Sequence, residues 1–306
     1  MSFRTDYILH AQSFEATHVD FNNGFDFTTH SPEDIRTLYS KVLQNGMHGL
    51  CFSMYEDGQK PGDHISEEQV RRRLKIMAPY TKWVRSFSCI EGNEFVPKIA
   101  RQLGLKTLVG AWLGDDSEKN EKEIEALIQL AKEGFVDIAA VGNEVMYRKD
   151  LSEDELLAFI QRVRKEIPAH IPLGYVDAYY EFTIKPRITE ACDVILTNCY
   201  PYWEGTNQEY ALSHMKSMYH QAKATANGKK VIITETGWPS QGESFKDSHP
   251  SVENAIKYFI NTQLWSKEED IDIFYFSSFD ESWKVGPEGE VGAHWGIWDK
   301  NEQLKF

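Results

Sequence analysis

The stretch of sequence that decides the fold is Lys230–Ser240, which has the sequence KVIITETGWPS. It starts with a run of β-branched residues, which is typical of a parallel strand buried on both faces. The run leads into a glutamate, Glu235, and then into a Gly-Trp-Pro turn. Because side chains alternate along a strand, Val231, Ile233 and Glu235 are predicted to share one face. The stretch therefore predicts a buried strand with a carboxylate at its carboxyl end.

A second stretch has the same design. Residues 137–145, DIAAVGNEV, form a short apolar run that ends in Asn143 and Glu144. The sequence between Glu144 and Glu235 has room for two further strand–helix units. Two carboxyl groups at the ends of two strands are what glycoside hydrolysis needs: a neutral acid protonates the leaving oxygen, and an ionised carboxylate attacks the sugar or activates water.

Strands and helices alternate along the rest of the chain without a break in composition. The predicted strands are residues 49–53, 83–88, 107–112, 137–144, 173–176, 193–200, 230–235 and 271–279. Capping boxes at 66–69 and 152–155 and apolar residues at helical spacing predict the helices between them. This pattern predicts an α/β chain with one (β/α)8 TIM barrel, residues 31–306. Residues 1–30 have no clear period and are predicted to form an irregular extension packed on the barrel.

The charge of the chain limits its partners. It has 47 acidic and 33 basic residues among 306, a formal net charge of −14. A basic footprint for nucleic acid is therefore missing, and a polyanionic substrate would be repelled. A neutral polymer is the substrate class that fits this composition.

Cofactors, export and membrane spans are not indicated by the sequence. The four cysteines are widely spaced, which favours buried free thiols over a zinc site. No apolar stretch approaches the roughly 20 residues of a membrane span, and no basic region with an apolar core predicts an export signal. We expect a monomer.

In such a barrel the active site lies at the carboxyl ends of the strands, so the residues there are the candidates for substrate contacts. Tyr200 is placed to hydrogen-bond Glu235, although a simple rim aromatic is the competing interpretation. Glu281 and Lys284 are placed to bind sugar hydroxyls or tune the nucleophile, with an exposed salt bridge as the alternative. Trp283 offers a flat face on which a sugar ring can stack. The competing interpretation is that Trp283 packs within the protein. The other candidates are Tyr55, Trp112, Asn143, Tyr202, Trp203 and Trp238. Trp295 and Trp298 are likewise candidates for stacking, and at most half of these tryptophans are expected to touch ligand.

Several of these motifs resemble those of a known family. VGNEV at 141–145 and TETGWPS at 234–240 resemble the acid/base and nucleophile motifs of glycoside hydrolase family 17, the β-1,3-glucanases. YPYW at 200–203 and FDESWK at 279–284 are similar to the motifs after strands six and eight of that family. The ending GAHWGIWD, 292–299, is similar to bacterial members, and the resemblance covers about residues 49–306.

The resemblance implies a retaining, endo-acting β-1,3-glucanase on a neutral glucan of the laminarin type. It implies no metal and no organic cofactor. It implies that Glu144 is the general acid/base, that Glu235 is the nucleophile, and that Asn143 binds the 2-hydroxyl at the cleavage point. It also implies an extracytoplasmic location if an export signal has been removed. Phe52 and Phe87 stand where relatives often carry tyrosine, so contacts at the cleavage subsite are expected to differ.

Two alternatives remain open at this point. A β-1,3-glucanosyltransferase uses the same two carboxylates but passes the glycosyl-enzyme intermediate to a sugar instead of water. An inactive glucan-binding barrel is the third possibility, because a fold alone does not establish activity. The presence of both Glu144 and Glu235 argues against the inactive barrel.

Overall fold

Eight parallel strands close into a barrel in the computed structural model, which describes residues 24–306. The strands follow one another in chain order, and the last pairs with the first through Gly49–Phe274 and Leu50–Tyr275. The strands are β1 Met47–Cys51, β2 Thr81–Ser86, β3 Lys106–Ala111, β4 Ile138–Asn143, β5 Leu173–Ala178, β6 Val194–Asn198, β7 Lys230–Thr236 and β8 Ile273–Tyr275. The predicted TIM barrel is confirmed.

Helices cover the outside of the barrel. They are α1 Pro32–Gln44, α2 Glu67–Met77, α3 Phe95–Gln102, α4 Ser117–Lys132, α5 Val145–Arg148, α6 Glu153–Glu166, α7 Glu181–Ile184, α8 Pro186–Ala191, α9 Ala211–Thr225, α10 Val252–Glu268 and α11 Val285–Glu288. Short 3-10 turns lie at Ala78–Tyr80, Gln208–Tyr210, Ser282–Lys284 and Glu290–His294. None of the helices in the described part of the chain is long and apolar enough to cross a membrane.

Local sequence signals explain where the long helices begin. The predicted capping box of α6 is confirmed: Ser152 accepts from the Glu155 amide, and the Glu155 carboxylate accepts from the Ser152 amide. The predicted box before α2 is only half present. Ser66 accepts from the Gln69 amide, but the Gln69 side chain donates to the carbonyl of Met54 instead of reaching back.

Strand eight is shorter than predicted. Only Ile273–Tyr275 pairs as a strand, and the β7–β8 register shifts between Ile233 and Thr236. Beyond it, Phe279 pairs with Trp298 near the end of the chain. The apolar residues that follow Tyr275 therefore lie outside the barrel sheet, and Phe279 among them pairs with the segment near the end of the chain. The short helices α5, α7, α8 and α11 were not predicted, because four to six residues are too few to show a helical period.

The predicted extension is described only in part. Residues 1–23 lie outside the described residues. Within 24–30, the Phe25 amide donates to the side-chain oxygen of Asn261 on α10 at 2.9 Å. This short segment therefore lies against the helical layer of the barrel.

Candidate active site

Two glutamates meet at the carboxyl-terminal mouth of the barrel. Glu235 is part of β7 and is only 6% exposed, whereas Glu144 follows β4 directly and is partly buried. The side-chain amide of Asn198, the last residue of β6, lies 2.9 Å from Glu144 Oε1 and 3.1 Å from Glu235 Oε1. These two distances limit the separation of the two carboxylate oxygens to 6.0 Å at most.

Arg85 forms an ion pair with Glu235. Its guanidinium is buried on β2, with Nη1 2.6 Å from Glu235 Oε1 and Nη2 2.6 Å from Asn143 Oδ1. Nη1 also donates to the carbonyl of Thr234 at 3.1 Å. Burial is the largest single influence and lowers the pKa of Arg85, but the charge of Glu235, the neighbouring Cys51 and the hydrogen bonds to both together outweigh it, so the pKa is raised. The cation is therefore permanent, and it links the two strand ends that carry Asn143 and Glu235.

Tyr200 binds the other oxygen of Glu235. Its hydroxyl donates to Glu235 Oε2 at 2.8 Å, and its ring is buried against Phe276 and Trp295. Together with Arg85 and Asn198, it gives the Glu235 side chain three donors. Hydrogen bonds of this kind favour the ionised carboxylate, which is the form a nucleophile needs.

The environment of Glu144 favours the opposite protonation state. Burial raises the pKa of Glu144 to about 7, and the nearby charge of Glu235 adds to the shift. The hydrogen bond from Asn198 and the charges of Arg148 and Arg85 oppose it. Two neighbouring carboxyl groups, one stabilised as the anion and one kept protonated near neutral pH, are the arrangement that acid/base chemistry requires.

The segment after β8 adds a buried ion pair to the mouth. Lys284 Nζ lies 2.7 Å from Glu281 Oε2, and both side chains are buried. The ammonium group also sits 4.2 Å from the centre of the Phe276 ring. The exposed salt bridge considered from the sequence is therefore not what forms. Trp283 is half-buried, with the Tyr55 ring edge-on to it at 6.0 Å between centroids.

The predicted aromatic contacts separate into two groups. Trp112, Trp203 and Trp283 keep part of their rings exposed. Tyr202 and Trp238 are buried, and their donors are already used: the Tyr202 hydroxyl bonds to the carbonyl of Glu243 at 3.0 Å, and Trp238 Nε1 to that of His249 at 3.1 Å. In this structure both side chains brace the loops behind the mouth, and their contact with substrate stays a prediction.

The buried tryptophans Trp295 and Trp298 likewise pack within the protein. Trp295 Nε1 donates to the carboxylate of Glu288 at 3.0 Å, and burial raises the pKa of Glu288 to about 7. Glu288 is a further carboxyl group near the mouth, beside Glu144, Glu235 and Glu281, and the sequence did not single it out.

Sequence reasoning also missed Arg85 and Asn198. A signal for each is visible in retrospect: Arg85 is a charged residue inside an otherwise apolar strand, and Asn198 is the last residue of strand six, the same kind of position that drew attention to Glu144. No group of three or more potential metal-ligating side chains is found within residues 24–306.

Comparisons with known proteins point to a glycoside hydrolase domain. Residues 49–296 match the model of the BtgE/BtgC glycoside hydrolase domain. The chain is 28% identical over 295 residues to a glucan 1,3-beta-glucosidase of Schizosaccharomyces pombe, with 89% of each chain covered. It is 28% identical over 258 residues to a glucan 1,3-beta-glucosidase of Candida albicans, covering 76% of this chain and 83% of that protein.

Solved structures share the fold. A glycoside hydrolase family 17 beta-1,3-glucanosyltransferase from Rhizomucor miehei superposes with a TM-score of 0.76 at 29% identity, over 86% of this chain and 96% of that one. An endo-laminarinase from Formosa gives a TM-score of 0.72 at 18% identity, over 85% and 86% of the two chains, and this likeness concerns the fold alone.

Proposed function

Since the chain belongs to glycoside hydrolase family 17 through its BtgE/BtgC glycoside hydrolase domain, we propose that it is a retaining endo-β-1,3-glucanase. Its substrate is a neutral β-1,3-glucan of the laminarin type. The observation that carries the retaining mechanism is the shared amide of Asn198, which keeps the Oε1 atoms of Glu144 and Glu235 within 6.0 Å of each other.

That separation favours retention over inversion. Retaining glycosidases place their two carboxyl groups about 5 to 5.5 Å apart, whereas inverting enzymes leave about 6.5 to 9.5 Å so that a water molecule fits beneath the sugar. The distance between the two Oε1 atoms, at most 6.0 Å, lies below the inverting range. Direct attack of one carboxylate on the sugar is therefore favoured.

The roles follow from the protonation states. Glu235 attacks the anomeric carbon and forms a covalent glycosyl ester, while Glu144 gives its proton to the departing glycosidic oxygen. Glu144 is then an anion and accepts a proton from an incoming water, whose oxygen displaces Glu235 from the sugar. The free carboxylate and the protonated acid are restored at the end of the cycle.

Substrate contacts are proposed for the residues that surround this pair. Arg85 occupies the amide oxygen of Asn143, which directs the amide NH2 of Asn143 toward a hydroxyl beside the anomeric carbon. The partly exposed rings of Trp112, Trp203 and Trp283 are proposed to stack on sugar rings. Arg148 lies 4.5 Å from the centre of the Trp112 ring, so one face of this ring is already covered.

Glucanosyl transfer is the second candidate function. It is favoured by the likeness to the Rhizomucor miehei glucanosyltransferase, which covers 86% of this chain at 29% identity. The first half-reaction is the same in both functions. They differ in whether water or a sugar hydroxyl attacks the glycosyl ester.

The experiment that tests the proposal follows linear β-1,3-gluco-oligosaccharides over time. Product sizes are resolved by chromatography, and the anomeric configuration of the first product is read by NMR. We expect internal cleavage, shorter products only and an initial β-anomer. Products longer than the substrate would assign the transferase, and an initial α-anomer would overturn retention.

Variants show whether the proposed residues carry the reaction. Glu235→Ala is expected to remove turnover, and Glu144→Gln to lower it by a factor of about 10² to 10⁴ on oligosaccharides, while both retain glucan binding. Glu133→Gln is the matched control, since Glu133 lies at the end of α4, away from the mouth, and should leave turnover unchanged. An unaltered oligosaccharide with the wild-type protein would overturn the substrate assignment.

A further inference from the structure

Glu144 has a backbone conformation that its surroundings must maintain. Its dihedral angles are φ 52° and ψ 31°, in the left-handed region, which costs a residue other than glycine about 1 to 3 kcal/mol. Gly142, two residues earlier, has φ 86°, and a Cβ there would lie 2.8 Å from a methyl carbon of Val145. The turn that aims Glu144 is therefore tight, and an extended chain would point this carboxyl elsewhere.

Three consecutive residues of β5 hold this turn. The carbonyl of Val176 accepts from the Glu144 amide at 2.8 Å. The hydroxyl of Tyr175 accepts from the Met146 amide at 2.8 Å, and the carboxylate of Asp177 accepts from the Tyr147 amide at 3.3 Å.

The two side chains in this set are joined to each other. The hydroxyl of Tyr175 donates to Asp177 Oδ2, and Asp177 Oδ1 accepts from the amide of Ala178 at 2.7 Å. Both side chains are fully buried. Each therefore has one orientation, and the amides of Met146 and Tyr147 are bound at fixed points in the first turn of α5.

We propose that Tyr175 and Asp177 are positioning residues for the acid/base Glu144. They hold the left-handed turn by binding the amides that follow it, and so they keep the carboxyl beside Asn198 and the departing oxygen. The inference rests on the proposed function, because it assigns a role in the step that Glu144 is proposed to perform. Neither Tyr175 nor Asp177 is proposed to touch the sugar.

This role predicts a dependence on the leaving group. A misplaced acid slows cleavage only where the departing oxygen needs a proton. The probes are therefore 2,4-dinitrophenyl β-laminaribioside, whose phenolate leaves unaided, and laminaritriose, whose sugar alkoxide does not. The measured quantity is kcat/KM, which reports the steps up to formation of the glycosyl ester.

Tyr175→Phe is the main variant, because it removes only the hydroxyl. We expect kcat/KM on laminaritriose to fall about 10- to 100-fold, as for the loss of a buried hydrogen-bond partner next to a reacting group. On the dinitrophenyl substrate it should stay within about threefold. Asp177→Asn keeps an acceptor for the Tyr147 amide and is expected to show the same pattern more weakly. Tyr39→Phe is the matched control, since it removes a buried hydroxyl that has no hydrogen-bond partner among the described residues.

Glu144→Gln separates failure of this inference from failure of the proposed function. If Glu144→Gln shows the leaving-group pattern and Tyr175→Phe does not, the positioning role is wrong. Equal losses on both substrates for Tyr175→Phe would also overturn it, because a merely structural defect lowers both. If Glu144→Gln itself lacks the pattern, the acid/base assignment of the proposed function fails. Thermal unfolding of each variant verifies that it is folded.

Discussion

Arg85 and Glu235 form a buried ion pair at the centre of the barrel mouth, with 2.6 Å between Nη1 and Oε1. Arg85 lies on β2 and Glu235 on β7, and their side chains are 2% and 8% exposed. The same guanidinium donates to Asn143, so one planar group fixes two side chains. Breaking a pair of this kind strongly lowers the free energy of unfolding, because removing either partner leaves the other charge buried and uncompensated.

Arg85→Lys keeps the charge but cannot reproduce the fork that reaches both Glu235 and Asn143. We expect kcat/KM on β-1,3-gluco-oligosaccharides to fall about 10- to 100-fold, the loss of one hydrogen bond to a charged group. Arg85→Met removes the charge and is expected to lower the free energy of unfolding by about 3 to 5 kcal/mol in denaturant titrations. Arg101→Lys, at an exposed pair with Asp137, is the control and should change neither quantity measurably. Full activity of Arg85→Met would contradict the role given to the ion pair.

The raised pKa of Glu144 predicts the pH dependence of the reaction. An acid must be protonated to act, and Glu144 holds its proton below about pH 7. We therefore expect kcat/KM to decline as the pH rises through about 7. In Glu144→Gln, kcat/KM should be about 10² to 10⁴ lower and should not decline in that window. A basic limb that persists in this variant would show that another group carries the proton.

The hydrogen bond from Tyr200 to Glu235 is testable by deleting one oxygen. Tyr200→Phe is expected to lower kcat/KM about 10- to 100-fold, because the nucleophile loses one of its three donors. Tyr202→Phe is the matched control. Its hydroxyl bonds to the carbonyl of Glu243, so that change should lower stability by about 1 kcal/mol and leave kcat/KM within about threefold. Equal effects of the two substitutions on kcat/KM would contradict the assignment.

Glu123 on α4 predicts a pH dependence of stability rather than of turnover. Its buried carboxyl accepts from the amides of Cys89 at 2.8 Å and Trp112 at 3.3 Å, and also from the Ser88 hydroxyl. Burial raises the pKa of Glu123 from 4.5 to about 7. Because the folded state holds this proton more tightly than the unfolded state, the contribution to stability is present in full below about pH 4.5. It is lost as the pH rises to about 7 and beyond.

Glu123→Gln removes the titrating group and keeps one acceptor oxygen for the amides of Cys89 and Trp112, while its NH2 group can donate to the Ser88 hydroxyl. We expect this variant to be more stable than the wild type at pH 8 by roughly up to 3 kcal/mol, and the difference to shrink toward pH 5. Thermal unfolding at several pH values measures it. Glu125→Gln, on the same helix but exposed, provides the comparison. If the difference in stability between Glu123→Gln and the wild type did not depend on pH, the link between the raised pKa of Glu123 and stability would be contradicted.

The sequence predicted the site best where a reactive side chain stands at the end of a predicted strand. Glu144 and Glu235 end apolar runs, so the barrel architecture by itself brings them to one mouth. Arg85 was missed because it lies within its strand, where the sequence does not show which face points inward. Its partners come from β4 and β7, which only the closed barrel places beside β2.

The direction of a side chain is a second property that the sequence does not show. Tyr202 and Trp238 lie in motifs of the right kind, but their rings point back into an aromatic cluster with Trp203, Trp295 and Tyr258. The left-handed turn at Glu144 was also not predicted. It depends on the hydroxyl of Tyr175, about 30 positions further along the chain, and no local pattern reports such a contact.

The four free cysteines have a practical consequence. Cys51, Cys89, Cys192 and Cys199 are buried, and burial raises the pKa of each thiol, so very little reactive thiolate is present at neutral pH. The folded protein should therefore be almost inert toward maleimides and similar reagents. A single cysteine introduced on the exposed rim of the mouth would be labelled selectively, and a fluorophore there would report glucan binding without removal of the native thiols.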